Sequence, residues 1–147
     1  MKNISKLLII ASSLVLSLTL SSCNKEEIIS SSKLPSEITT YISTHFPTHT
    51  VLQVTKEIDG FIKTYEIILS ESLSLEFNRK KEVTDIDGIS QLPNSVIPEK
   101  IRTYVSTNFS DNYIIGWKLE RNSQQIKLDN GLELEFNKKG DFLRIDG

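Results

Sequence analysis

Two short stretches alternate in polarity with a period of two. In "LSLEF" (73–77) Leu73, Leu75 and Phe77 point one way while Ser74 and Glu76 point the other; in "LELEF" (132–136) Leu132, Leu134 and Phe136 do the same. Leu52 and Val54, Ile67 and Leu69, and Thr84 and Ile86 have in-phase counterparts in Ile115 and Trp117, Ile126 and Leu128, and Leu143 and Ile145. The pattern predicts four half-buried antiparallel strands, twice. Ahead of each set, apolar residues recur at helical spacing: Leu34, Ile38, Tyr41 and Ile42, then Ile97, Ile101, Tyr104 and Val105. Pro35 and Pro98 suit helix starts, Glu37 and Glu99 favour the positive end of the helix dipole, and Pro47 stops the first helix.

The chain is therefore doubled. "LPSEITTYISTHFP" (34–47) aligns with "IPEKIRTYVSTNFS" (97–110), and "LEFNRKKEVTDIDG" (75–88) with "LEFNKKGDFLRIDG" (134–147). The expected fold class is α+β: a tandem repeat of two helix-plus-four-stranded antiparallel sheet units, spanning 34–88 and 97–147 and joined by a stiff linker at 89–96. A unit of this size is marginal alone, so the two, docked together or with their strands joined into one sheet, are expected to share a core. Lys81 stands where the second copy has Gly140, so the first turn is expected to be strained or differently shaped.

Residues 1–22 read differently. Lys2 and Lys6 precede the uncharged run "LLIIASSLVLSLTL" (7–20), which is long enough for a signal-peptide core and too short for a membrane span. It ends in Leu20-Ser21-Ser22-Cys23, which resembles the lipobox of bacterial lipoproteins. That resemblance implies lipidation of Cys23 by thioether-linked and amide-linked acyl chains (palmitate among them), cleavage before it, and anchoring without spanning. Cys23 is the only cysteine, so an internal disulfide is excluded. Residues 23–33 are expected to be a flexible tether, at most about 33–36 Å long when extended. Within it Lys25-Glu26-Glu27 resembles a surface-export signal of lipoproteins. The expected location is the outer membrane, lipid-anchored, with the cell surface weighed above the periplasmic face.

The formal net charge of −2 falls to about −4 once the leader is set aside, which gives no push toward nucleic acid. His45 and His49 are separated by the helix-breaking Pro47, and "DIDG" (85–88) lacks the further oxygens of a calcium loop, so no metal and no cofactor is expected. No G-x-S-x-G or placed acid–base pair is present, and no catalytic residue is assigned. Ser74, Glu76, Gln125, Lys127, Glu133 and Glu135, on polar strand positions, are candidate partner contacts. Trp117 is a further candidate, although its phase with Ile115 and Leu119 favours core packing.

The helix, the "LEFN" strand and the terminal "IDG" together resemble the PepSY-like, β-lactamase-inhibitor-like secreted proteins over residues 34–147. The resemblance implies two stacked αβ4 repeats and no established enzymatic activity, and the chain is expected not to be an enzyme. It leaves two expectations: a non-catalytic binding lipoprotein for a protein or glycan partner, or an inhibitor or modulator of a secreted hydrolase.

Overall fold

The computed structural model describes residues 24–146. Nine strands hydrogen-bond in chain order into one antiparallel sheet: β1 (Asn24–Ile28), β2 (Val51–Asp59), β3 (Ile62–Leu69), β4 (Leu73–Phe77), β5 (Val83–Asp87), β6 (Ile114–Leu119), β7 (Ser123–Leu128), β8 (Glu133–Asn137) and β9 (Phe142–Asp146). Helix α1 (Ser36–His45) precedes β2, and helix α2 (Glu99–Asn108) precedes β6. This overturns the expected two helix-plus-four-strand units. The halves are fused through β5 and β6, where Asp85 pairs with Lys118, Ile86 with Trp117 and Asp87 with Gly116. The fusion satisfies backbone groups that would otherwise line two exposed strand edges.

The ninth strand comes from the stretch expected to be a tether. Asn24 pairs with Asp59 and Ile28 with Thr55, Ile29 packs against the core, and residues 31–33 close a 3₁₀ turn. The edge of β2 offers unpaired N–H and C=O groups, and a polar sequence can fill that edge as well as an apolar one. Cys23 and the residues Leu20, Ser21 and Ser22 lie outside the described residues.

Alternation decides which face of the sheet is covered. Val54, Ile67, Leu75, Ile86, Ile126 and Leu134 form one cross-strand row that is fully or almost fully buried, with Trp117 between Ile86 and Ile126. Ile38 and Ile42 of α1 and Ile101 and Val105 of α2 complete a single core. Tyr41 meets Phe77 edge-on at 5.5 Å, and Tyr104 repeats the contact with Phe136 at 5.4 Å. Both helices thus cover the same face, and the opposite face is left open. Bulges break the expected alternation. The register shift after Val51 leaves Leu52 exposed, and the shift after Ile114 buries Ile114 in place of Ile115.

The β4–β5 and β8–β9 turns have one geometry. Asn78 Oδ1 accepts from the N–H groups of Lys80 and Glu82, and Asn137 Oδ1 accepts from those of Lys139 and Asp141. Lys81 sits at φ 67° and Gly140 at φ 81°. The first turn is therefore not differently shaped; it holds a lysine in the left-handed region. Replacing Lys81→Gly should leave the unfolding midpoint unchanged or raise stability by about 0.5–1 kcal/mol, part of the gain being offset by losing the ammonium 5.8 Å above the Tyr65 ring. Gly140→Ala should instead cost about 1–2 kcal/mol, because a Cβ there is left-handed and lies 3.2 Å from Lys100 Cβ. Urea unfolding of both variants checks the pair, and a midpoint drop for Lys81→Gly would refute the shared turn.

The open face as candidate functional site

The polar positions of the strands line up across the open face. Thr55 of β2 is opposite Glu66 of β3, Glu66 is opposite Glu76 of β4, and Glu76 is opposite Asp85 of β5. The row continues through Lys118, Gln125, Glu135 and Arg144. Neither helix reaches this face. Three consecutive carboxylates therefore stand directly opposite one another, an arrangement that weakens a sheet. Two shallow grooves meet at Glu76. One, of about 430 Å³, is bordered by Glu26, Glu57, Glu66 and Glu76. The other, of about 350 Å³, is bordered by Glu76, Asp85, Asp87, Lys118, Lys127 and Glu133.

The candidate contacts separate by face. Ser74, Glu76, Gln125, Lys127, Glu133 and Glu135 all lie on the open face. Gln125 donates to Glu133 Oε2 at 2.9 Å, Lys127 Nζ reaches Asp87 Oδ1 at 3.1 Å, and Arg144 Nη2 pairs with Glu135 Oε2 at 2.7 Å. That last contact is an ion pair whose geometry is too poor for an aligned hydrogen bond, since Glu135 Oε2 is buried without a hydrogen-bond donor. Trp117 is on the helix-covered side, half-buried, its indole N–H donating to Gln124 Oε1 at 3.0 Å. Lys25, Glu26 and Glu27 belong to the edge strand β1. The histidines diverge: His45 bonds Ser95 Oγ at 2.9 Å, while His49 lies 3.6 Å from Glu71. Among the described residues no group of three or more His, Cys, Asp or Glu side chains converges as a metal cage.

Sequence reasoning named Glu76 but missed Glu66 and Asp85 beside it. Strand register, which a single sequence does not specify, brings the three together. Asp85 records the crowding. Its partial burial, and next the charge of Glu76, push its pKa up to about 6, against the partial relief of Lys118 Nζ at 3.9 Å. Lys118 is itself held above the ordinary lysine value, chiefly by its contact with Glu120 and then by Asp85.

The comparisons agree with this architecture. The family model described as "Putative beta-lactamase-inhibitor-like, PepSY-like" matches twice, over residues 20–85 and 63–144. A "putative periplasmic protein" of Bacteroides vulgatus ATCC 8482 is 32% identical, with a TM-score of 0.77, covering 83% of this chain and 97% of that one. A second "putative periplasmic protein" of the same strain is 28% identical, with a TM-score of 0.78, 84% of this chain and all of that one being covered. A "putative calcium-regulated periplasmic protein" of Bacteroides thetaiotaomicron is 28% identical, with a TM-score of 0.77 and coverages of 83% and 97%. No curated protein matches the chain.

Two predictions follow from the geometry of the two faces. An acid whose folded pKa lies above its unfolded value near 3.8 binds more protons folded than unfolded between those values. Its contribution to stability is full below pH 4 and is lost as pH rises through about 6. Asp85→Asn should therefore stabilise the protein by about 1–3 kcal/mol at pH 7.5 and hardly at all at pH 4, as urea titrations at the two pH values would show. A loss of stability at pH 7.5 would mean that the Lys118 pairing outweighs the crowding. Trp117→Ala should cost about 3 kcal/mol by the same assay, because it empties a core position at the junction of the halves. The doubled match and the shared architecture place this chain in the PepSY-like, β-lactamase-inhibitor-like family.

Proposed function

We propose that this chain is a non-catalytic binding lipoprotein of the cell envelope. It is anchored through lipid on Cys23, and the open sheet face receives a protein that presents a basic surface. One observation carries the reading: Glu66, Glu76 and Asp85 stand side by side on a face that neither helix covers, at a cost to the sheet's own stability. A partner that neutralises the row would relieve that repulsion. A cationic partner would be steered toward the grooves on either side of Glu76 and would gain from charges already in place. The periplasmic descriptions of the related structures support an envelope setting. The family description supports a second reading of the same face, in which the partner is a secreted hydrolase and the chain modulates it.

Crosslinking in intact cells followed by mass spectrometry tests the proposal. The wild-type chain should capture one predominant envelope protein, and Glu66→Gln/Glu76→Gln should lower that capture about fivefold or more. The same double variant should be more stable by about 0.2–1 kcal/mol per relieved carboxylate pair, which separates lost binding from lost folding. A hydrolase as the captured partner selects the modulator reading. Capture that ignores the substitution, or a glycan as the crosslinked species, overturns the basic-protein reading. Protease shaving of whole cells decides whether the face points outward from the outer membrane or into the periplasm.

A further inference from the structure

The β2–β3 hairpin reaches past its neighbours. Counted from the row that contains Thr55, Glu66 and Glu76, β2 and β3 run four residues before turning, whereas β4 leaves the ladder after Phe77. The excess is about three residues, roughly 10 Å. At its tip Phe61 is fully exposed. Two residues back from Gly60, Ile58 is flanked across the strands by Lys25 and Lys63, both exposed and on the same face of the sheet. The carboxylates Glu26, Glu57 and Asp59 at this end belong by alternation to the opposite face. An aromatic point backed by an aliphatic side chain between two long cations is the arrangement that suits a headgroup boundary, where apolar atoms sink and ammonium groups reach phosphates. Arg79 and Lys80, exposed on the adjacent β4–β5 turn, add positive charge alongside.

The position of the anchor is independent of these side chains. Asn24 pairs with Asp59, so the described chain begins beside the hairpin tip, and the proposed anchor residue, Cys23, precedes it by one position in the sequence. We propose that the β2–β3 tip is a membrane-contacting edge: Phe61 enters the headgroup region of the bilayer while Lys25 and Lys63 engage lipid phosphates. The sheet then stands on this end, with its acidic open face directed sideways and clear of the surface. The inference rests on the lipid-anchor reading for its geometry, and the experiment separates the two.

The full chain is expressed in a lipoprotein-processing bacterium as Phe61→Cys, and separately as Ser90→Cys in the linker at the opposite end of the strands. Lipidation consumes the Cys23 thiol, so an environment-sensitive fluorophore labels only the introduced cysteine. Intact mass reports the acyl chains. Each protein is reconstituted into phosphatidylcholine–phosphatidylglycerol vesicles containing brominated lipid. The label at position 61 should be quenched at least about twofold and blue-shifted, that at position 90 should remain water-like, and Lys25→Glu/Lys63→Glu should reduce the quenching at 61. Equal, water-like emission from both positions in a lipidated chain overturns the inference and leaves the anchor standing. If the mass shows no lipid, the anchor falls, and the unlipidated chain is sedimented with the same vesicles. Retention that drops severalfold with Phe61→Ser keeps the tip as a membrane contact; no retention sinks both.

Discussion

The pairing of β5 with β6 is the constraint on which the molecule depends. It consists of three residue pairs, yet it converts two small half-sheets into one surface with a single core. The join needs close approach on the open side, and Gly116 provides it: a Cβ there would lie 3.1 Å from Lys127 Cβ and 3.4 Å from Asp87 Oδ1. On the covered side Trp117 fills the space between Ile86 and Ile126 and anchors its indole N–H on Gln124. A small residue on one face and the largest on the other, in consecutive positions, let the seam close against the helices while remaining flat toward solvent. The same seam sets Lys118 beside Asp85, so the halves are also joined electrostatically.

That electrostatic contact is partial, and the remainder is informative. Lys118 shares its charge between Asp85 and Glu120, and Lys127 serves Asp87. Glu66 and Glu76 have no basic residue opposite them in the row. In a sheet held together by a continuous apolar row on its other face, such repulsion is tolerable because burial dominates the balance. The covered face carries stability, and the open face is free to carry charge.

Much of the fold was legible in the chain. The period-two alternation of "LSLEF" and "LELEF" marked β4 and β8, and the helical spacing of Ile38 and Ile42 marked the buried stripe of α1. The association of the halves was not legible, because identical local patterns serve equally for two sheets or one; only the pairing of β5 with β6 distinguishes them. Residues 24–28 carry no apolar alternation, since as an edge strand their hold on the sheet is mostly backbone hydrogen bonding, and composition does not reveal that. Lys81 misled for a related reason. The turn it occupies is built by Asn78 through two backbone bonds, strongly enough to hold a lysine at positive φ. Of the site, Glu76 was visible as a polar strand residue, whereas its neighbours required register.

The doubling gives the charge row a further meaning. Thr55, Glu66, Glu76 and Asp85 in the first half correspond to Lys118, Gln125, Glu135 and Arg144 in the second, and the eight form one continuous row. The backbone plan and the buried partners are retained in both copies, from Tyr41 on Phe77 to Tyr104 on Phe136. The open positions are not: one copy presents three carboxylates, while the other mixes signs and closes Glu135 against Arg144. Had the open face served only to keep the sheet soluble, either composition would suffice, and the self-neutralising one is the more stable. A repulsive composition in one half beside a self-satisfying one in the other is what the proposed division of labour predicts, in which the first half would meet a partner and the second would brace it.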